Sequence, residues 1–459
     1  MNRIKLFKIT ELFGYQNVTL RFKDEVLILM GENGLGKTSI LNSLYFVLTQ
    51  KWKKLSQISF NTISLEIDDQ EIHIDKKQLL WYLETKGDKR HQRNRHLRNE
   101  LREAIDLEEL NNYINNFEHP ESEEHRVIYQ FLKLNRPKIN LNAPLGMMAE
   151  IMIQLRREPD MASFSQTLEY LEYCEKINIL YFPTYRRVEE ELHNLGKLRR
   201  DYVDDFPYGN DDIDQESQDL EEETLIQFGM EDVVQRIGNI ISKINDSSIK
   251  GFAKVTGEML HQLQEGFPEL TDAEILGINS YNVEIILNRV KNNLSEEDRN
   301  NILQLLNTKE LLKKQELAYF LIKLEAIYVQ QQSLDNSIKQ FEKVTNQYLV
   351  GKRFVFDESS VTLKIYNNTN DDPVELNQLS SGEKQIVSLF SKLYLEDHSN
   401  IFIFFDEPEL SLSIKWQKQL LPHVLATKKC DFLLAVTHSP FIFNNELENY
   451  AVGMNLFID

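Results

Sequence analysis

The chain has 459 residues, of which 41% are hydrophobic and 27% charged, and its formal net charge is −20. That composition is ordinary for a soluble globular protein. The carboxylate excess excludes nucleic-acid binding driven by overall charge, because phosphates are repelled on average, although local basic patches stay open. No apolar run reaches the ~18 residues a membrane helix needs, and the opening MNRIKLFKIT lacks a signal-peptide pattern. Cys174 and Cys430 are the only cysteines; so far apart, they give neither a disulfide framework nor a zinc spacing, and the expectation is a cytoplasmic protein with reduced thiols.

In chain order, residues 4–10 and 17–23 read as short strands broken at the turn-prone Phe13-Gly14-Tyr15. Val26–Met30 is a continuous apolar run that stops at Gly31, as a buried parallel strand running into a glycine turn does. Ile40, Leu41, Leu44, Tyr45, Val47 and Leu48 then repeat at helical spacing. Residues 63–74 alternate apolar and polar, which predicts a half-exposed hairpin. A charged helical region follows to about residue 176, with a basic stretch that includes Lys86, Lys89, Arg90, Arg93, Arg95, Arg98 and Arg102. Residues 177–182 read as a buried strand closed by Pro183, and 204–223 as an acidic loop. Residues 229–300 read as helices with breaks. Leu324, Ile327, Gln331, Leu334, Ile338, Phe341, Thr345 and Tyr348 form a heptad seam with two polar positions, which suits a bundle helix or a coiled-coil arm. Val361, Leu363 and Ile365 mark a strand, and 401–405 and 432–436 mark two more buried parallel strands.

Four motifs carry chemistry. Gly31-Glu32-Asn33-Gly34-Leu35-Gly36-Lys37-Thr38 fills the phosphate-loop pattern between a strand and a helix. Gly31, Asn33, Gly34, Gly36, Lys37, Thr38 and Ser39 are therefore the candidate phosphate-binding set, with Lys37 on the β- and γ-phosphates and the Thr38 hydroxyl on Mg²⁺. The strand at 402–405 delivers Asp406 and Glu407 at its C-terminal end. Asp406 suits the metal, and Glu407 suits a general base acting on water. Ser380, Ser381, Gly382 and Glu383 open another helical pattern, either as a plain capping box or as a clamp on a γ-phosphate held by a second copy. His438 follows the apolar run at 432–436, where a γ-phosphate sensor would sit.

In this order the motifs resemble ABC-type ATPases. Lys37 and Ser381 stand near opposite ends of the chain, a far longer interval than in transporter subunits, so the resemblance points to the RecF, Rad50/SMC and OLD-like group of AAA-family ATPases. Residues 4–22 look like that group's first hairpin. Leu180-Tyr181-Phe182-Pro183-Thr184-Tyr185-Arg186-Arg187 is similar to a segment of bacterial OLD-like ATPases, and Pro408-Glu409-Leu410-Ser411-Leu412-Ser413 has the OLD-like form. No glutamine ends the strand at 177–182, which implies Arg186 or Arg187 as the phosphate contact there. The implied fold is α/β, an ABC-ATPase head (mixed sheet with a P-loop core) interrupted by a long helical or coiled-coil insertion. Its expected parts are an N-terminal lobe at 1–75, a helical insertion at 76–176, a return strand at 177–200, an acidic loop and arm at 201–350, and a C-terminal lobe at 351–459.

The resemblance also implies ATP and Mg²⁺ as ligands, and a head-to-head ATP-sandwich dimer that can build a hexamer of dimers. Each site would take its P-loop, Asp406, Glu407 and His438 from one copy and Ser381 and Gly382 from the other. The chain stops at Asp459, soon after His438, which leaves no room for the Toprim nuclease domain of OLD nucleases. A nuclease or toxin effector would then be a separate subunit, as in anti-phage defence of the PARIS type and, second, the Septu type. The trigger would be a phage protein or DNA, and no membrane partner is expected. The basic stretch is then a solvated face or a docking site for DNA or a DNA-mimicking protein; the acidic loop is solvated or holds a basic effector surface. Two other readings remain: a DNA-repair ATPase of the RecF or Rad50 kind, and a scaffold that uses ATP only for assembly.

Overall fold

The computed structural model describes residues 4–22, 25–32, 34–68, 70–87, 95–115, 124–136, 143–173, 177–183, 230–289 and 294–458. The chain divides into two compact units, Met1–Ile179 with Val452–Asp459, and Leu180–Ala451. The fold is mixed α/β, with antiparallel and parallel strands and extensive helical insertions.

In the first unit, β1 (Ile4–Leu12), β2 (Gln16–Arg21), β4 (Thr62–Ile67) and β5 (Gln70–Asp75) form an antiparallel sheet in the order β2-β1-β4-β5. Their alternation decides which face is buried: Phe7, Ile9, Ile63, Leu65, Ile72 and Ile74 are all buried. A register shift between Ile9 and Leu12 ends β1 in a bulge, with Glu11 and Phe13 at positive φ. The C-terminal residues return to this sheet, where the Thr19 amide donates to the Phe457 carbonyl at 3.0 Å. β3 (Val26–Met30) is buried through Leu27, Ile28 and Leu29 and runs into the glycine loop. Beyond the loop lies α1 (Lys37–Leu48), and α2 (Trp52–Leu55) leads on to β4.

After β5, α3 (Lys76–Gly87) begins the first helical region. Next, α4 (Arg95–Ala104), α5 (Leu107–Asn115), α6 (Glu124–Leu134) and α7 (Leu145–Arg157) close around their own core of Leu101, Leu110, Ile128, Leu132, Met148 and Met152. α8 (Ala162–Tyr173) leads back to the sheet: Thr167 Oγ1 donates to the His73 carbonyl, and Phe164 packs on Trp52 and Tyr82.

The second unit is entered along β6 (Asn178–Phe182). Its helices are α9 (Met230–Glu265), α10 (Asp272–Leu276), α11 (Ser280–Arg289), α12 (Glu296–Asn307) and α13 (Gln315–Thr345). α9 runs without a break, and the breaks expected within 229–300 fall after it, between α9 and α10 and between α10 and α11. α13 carries the heptad seam and uses it as a bundle helix, packed against α9 and α11. Leu324, Ile327, Ile338 and Phe341 are buried, and so are the polar seam positions Gln331 and Thr345. A short antiparallel sheet of β7 (Lys352–Asp357), β8 (Thr362–Asn367) and β9 (Pro373–Val374) precedes α14 (Ser381–Leu395), which also packs on α13. β10 (Ile401–Asp406), α15 (Ile414–Ala426) and β11 (Cys430–Thr437) make a parallel βαβ unit, with Asp406 beside Val436. All of β10 is buried, and Phe405 stacks on Phe182 of β6 at 4.7 Å. No helix among the described residues is long and apolar enough to cross a membrane. Cys430 is a free cysteine whose thiol is pushed up to about 12 by burial, while Cys174 lies outside the described residues.

Candidate active site

In the first unit the loop from β3 to α1 is shaped by what its glycines lack. Gly34 and Gly36 have φ of 86° and 82°, in the left-handed region that side chains disfavour. A Cβ on Gly36 would also come within 2.8 Å of the Phe13 ring, which the β1 bulge presents to the loop. Gln16 Nε2 donates to the Leu35 carbonyl at 3.4 Å and ties the loop to β2. Lys37 is buried, and its Nζ donates to the Gly31 and Glu32 carbonyls at 2.8 Å each, which draws the ammonium back into the loop. Gly36 is the N-cap of α1 and gives no side-chain cap. A cation curled into a glycine loop at a helix N-terminus fits a phosphate chain. Thr38 and Ser39 follow in the first turn, half-buried.

In the second unit the candidate residues sit at the ends of two neighbouring parallel strands. Asp406 closes β10 and is buried. Glu407 follows with φ of 50°, and its amide donates to the Val436 carbonyl at 2.9 Å. His438 lies just past β11, with Nε2 3.5 Å from Glu407 Oε1. The carboxylate and the imidazole thus face each other and could share one water. The buried Asp406 carboxylate is an oxygen donor of the kind Mg²⁺ takes.

The start of α14 is a full capping box. The Ser380 side chain accepts from the Glu383 amide, and the Glu383 carboxylate accepts from the Ser380 amide at 2.8 Å. Glu383 also accepts from Lys352 Nζ at 2.9 Å and from the Val350 amide at 3.4 Å. Burial pushes the Glu383 carboxyl up, but these hydrogen bonds outweigh it and hold the group below its ordinary value. Ser380 and Ser381 are exposed while Gly382 is buried. A Cβ on Gly382 would stand 2.4 Å from the Ser411 carbonyl oxygen, so only glycine lets the segment after Glu407 approach this helix end.

Several expected contacts fall outside the described residues: Asn33, Arg186, Arg187, and the acidic loop at 204–223. So do Lys89, Arg90 and Arg93 of the basic stretch. Within that stretch, Arg98 and Arg102 both pair with Glu158, at 2.9 Å and 2.8 Å. Sequence reasoning gave no role to Glu409, Gln417, Thr437 or Lys352, all of which support the site loops. The sequence hint for Glu409 is a further carboxylate two places after Glu407.

The model of the family described as "AAA domain, putative AbiEii toxin, Type IV TA system" matches residues 26–444. No curated protein matches the chain. Among solved structures, the chain is similar to the Smc head domain with an extended coiled coil bound to the C-terminal domain of ScpA, from Pyrococcus furiosus. There the identity is 14%, the cover 96% of this chain and 91% of that one, and the TM-score 0.35. The SmcHead bound to the C-winged helix domain of ScpA matches at 11% identity, with 98% and 93% cover and a TM-score of 0.34. A Pyrococcus yayanosii Smc head with a coiled coil and joint matches at 12% identity, with 96% and 93% cover and a TM-score of 0.31.

Proposed function

This chain belongs to that AAA-domain family, and from that premise we propose that it is an ABC-type ATPase that hydrolyses ATP in sites completed by a second copy and so controls a separate effector. In this reading Gly31, Asn33, Gly34, Gly36, Lys37 and Ser39 bind the phosphates, and Thr38 and Asp406 hold Mg²⁺. Bound there, the metal would supply charge neutralisation to the phosphate chain. Glu407 takes the proton of the attacking water through its carboxylate, and His438 Nε2 orients that water or meets the γ-phosphate. Ser380, Ser381, Gly382 and Glu383 serve the partner copy's nucleotide.

The observation that carries the reading is the Glu407–His438 pair at 3.5 Å, on the ends of adjacent parallel strands. A protein that used ATP only for assembly would have no need for a carboxylate and an imidazole set against each other at these strand ends. Glu407→Gln should abolish phosphate release and accumulate ATP-bound dimers in size-exclusion chromatography with light scattering. Wild-type phosphate release by this variant overturns the assignment of the base.

The cellular role we propose is that of an anti-phage sensor and scaffold, of the kind of AriA, the ATPase of PARIS defence, with a Toprim-type nuclease or toxin as partner. The family's own description, with its toxin and type IV toxin–antitoxin system, supports a toxin-linked role over DNA repair, as does the net charge of −20. Co-purification with the product of the neighbouring gene tests it. A nuclease or toxin that co-elutes supports defence, whereas duplex-DNA binding at moderate salt without such a partner overturns it.

A further inference from the structure

We propose that Glu409 is a positioning residue for His438, a latch that sets the sensor histidine against Glu407; this rests on the ATPase reading above. The Glu409 carboxylate is half-buried and turned onto the turn after β11. It accepts from Thr437 Oγ1 at 2.7 Å, from the His438 amide at 2.7 Å, and from the Ser439 amide at 3.2 Å. A carboxylate is the fitting group, because only an acceptor with several lone pairs can collect three converging donors. Gln417 of α15 locks the other side. Its Nε2 donates to the Leu412 carbonyl at 2.9 Å and to the Glu409 carbonyl at 3.4 Å, and its Oε1 accepts from Ser439 Oγ at 2.6 Å. The segment from Glu407 to Ser411 is thereby fastened to the segment from Thr437 to Ser439.

The latch holds a backbone that would not hold itself. Glu407 and Ser411 both have positive φ, 50° and 65°, a backbone region that disfavours any residue other than glycine. Ser411 also carries the carbonyl that abuts Gly382. The same short segment therefore orients the sensor of one nucleotide and backs the helix end that serves the partner copy's nucleotide. Losing Glu409 would let His438 leave Glu407, would take the carboxylate acceptor from the His438 amide, and would leave the Ser439 amide to Thr437 Oγ1 at 3.0 Å.

The experiment compares Glu409→Ala, Glu409→Gln, Thr437→Val and Thr437→Ser in the full chain, by phosphate release, fluorescent-ATP affinity and thermal melting. Displacing a reacting group by about 1 Å costs on the order of a hundredfold in rate. Glu409→Ala should therefore lower kcat roughly tenfold to a hundredfold with nucleotide affinity unchanged. Glu409→Gln should recover most of that loss, since its Oε1 accepts from the amides and its Nε2 donates to the Thr437 hydroxyl. Thr437→Val should lose kcat, Thr437→Ser should keep it, and Thr437→Val added to Glu409→Ala should cost nothing more. A Glu409→Gln variant as inactive as Glu409→Ala overturns the proposal, because it assigns Glu409 to the metal or the base. Wild-type kcat in Glu409→Ala also overturns it. If Glu409→Ala fails to fold, the Thr437 pair decides by the same criteria. If the wild-type chain hydrolyses no ATP, the ATPase reading fails, and a crystal structure of Glu409→Ala decides the latch: His438 still 3.5 Å from Glu407 overturns it, and a displaced His438 supports it.

Discussion

The two helical regions treat charge in opposite ways. The α4–α7 bundle pairs each of two carboxylates with one inner and one exposed arginine: Glu124 is shared by Arg156 and Arg157, and Glu158 by Arg98 and Arg102, with Arg157 and Arg102 side chains 66% and 55% exposed. Its core cluster is apolar, and the one buried guanidinium beside it among the described residues, Arg98, is held by Gln154 and Glu158. The bundle of α9, α11 and α13 buries an ion pair completely, with the Arg289 and Asp335 side chains 1% and 0% exposed. Arg289 meets both Asp335 oxygens at 2.7 Å and donates to Gln331 Oε1 and to the Glu358 carbonyl. Gln331 reaches on to Ser247 and Ser248 of α9, while the Glu358 carboxylate gathers Tyr281, Tyr328 and Lys339. Apolar packing fixes helix contacts without naming partners, whereas a buried network permits one register. The second bundle, which packs on α14 and hence on the Ser381 end, is the one built for a defined register.

The largest expected effect tests that contrast at its centre. Arg289→Met leaves Asp335 buried and unpaired and should cost about 3–5 kcal/mol in urea unfolding. Burial already pushes the Asp335 carboxyl above its ordinary value, with Arg289 offsetting only part of the shift. The double variant Arg289→Met, Asp335→Leu should therefore regain most of the loss. A single variant that costs under about 1 kcal/mol would mean that water reaches the pair.

This contrast was only half legible in the sequence. The heptad seam announced Gln331 and Thr345 as polar residues among apolar ones, because periodicity reports burial. It could not name Arg289, 42 residues from Gln331, because pairing across helices leaves no period. The strands that lead into Gly31, Glu407 and His438 were readable for the reverse reason: phosphate chemistry fixes residue type and spacing locally. Glu409 fell between these cases. It stands beside a recognised motif, yet its donors come from another strand's end, and no spacing rule foretells that. Phe13 and Ser411, which make Gly36 and Gly382 obligatory, are likewise contacts made by the fold.

Glu383 is an intermediate case, with a side chain 4% exposed and its partner Lys352 24% exposed. Glu383→Gln should cost about 1.5–3 kcal/mol at neutral pH, the range for hydrogen bonds to charged groups. The sign of its pH dependence is fixed by the depressed carboxyl. Ionised Glu383 contributes stability that is fully present above the ordinary value of 4.5 and is lost as pH falls through the lower folded value. Melting curves of the wild type and Glu383→Gln should therefore converge below about pH 4.5. Curves that stay parallel would detach Glu383 from Lys352 and the Ser380 amide.

The smallest effect belongs to the rim. Glu124→Gln removes the charge that Arg156 and Arg157 share at 2.5 Å each, but both arginines keep access to water. The cost should be about 0.5–1 kcal/mol. Salt separates this pair from the buried one more sharply than size does. Ions screen exposed charges over about 10 Å at 0.1 M and far less inside a protein. Raising salt to about 1 M should erase most of the Glu124→Gln penalty while leaving the Arg289→Met penalty nearly unchanged. Equal salt sensitivity in the two variants would mean that the bundles hold their charges in the same way, and the register argument for α13 would lose its basis.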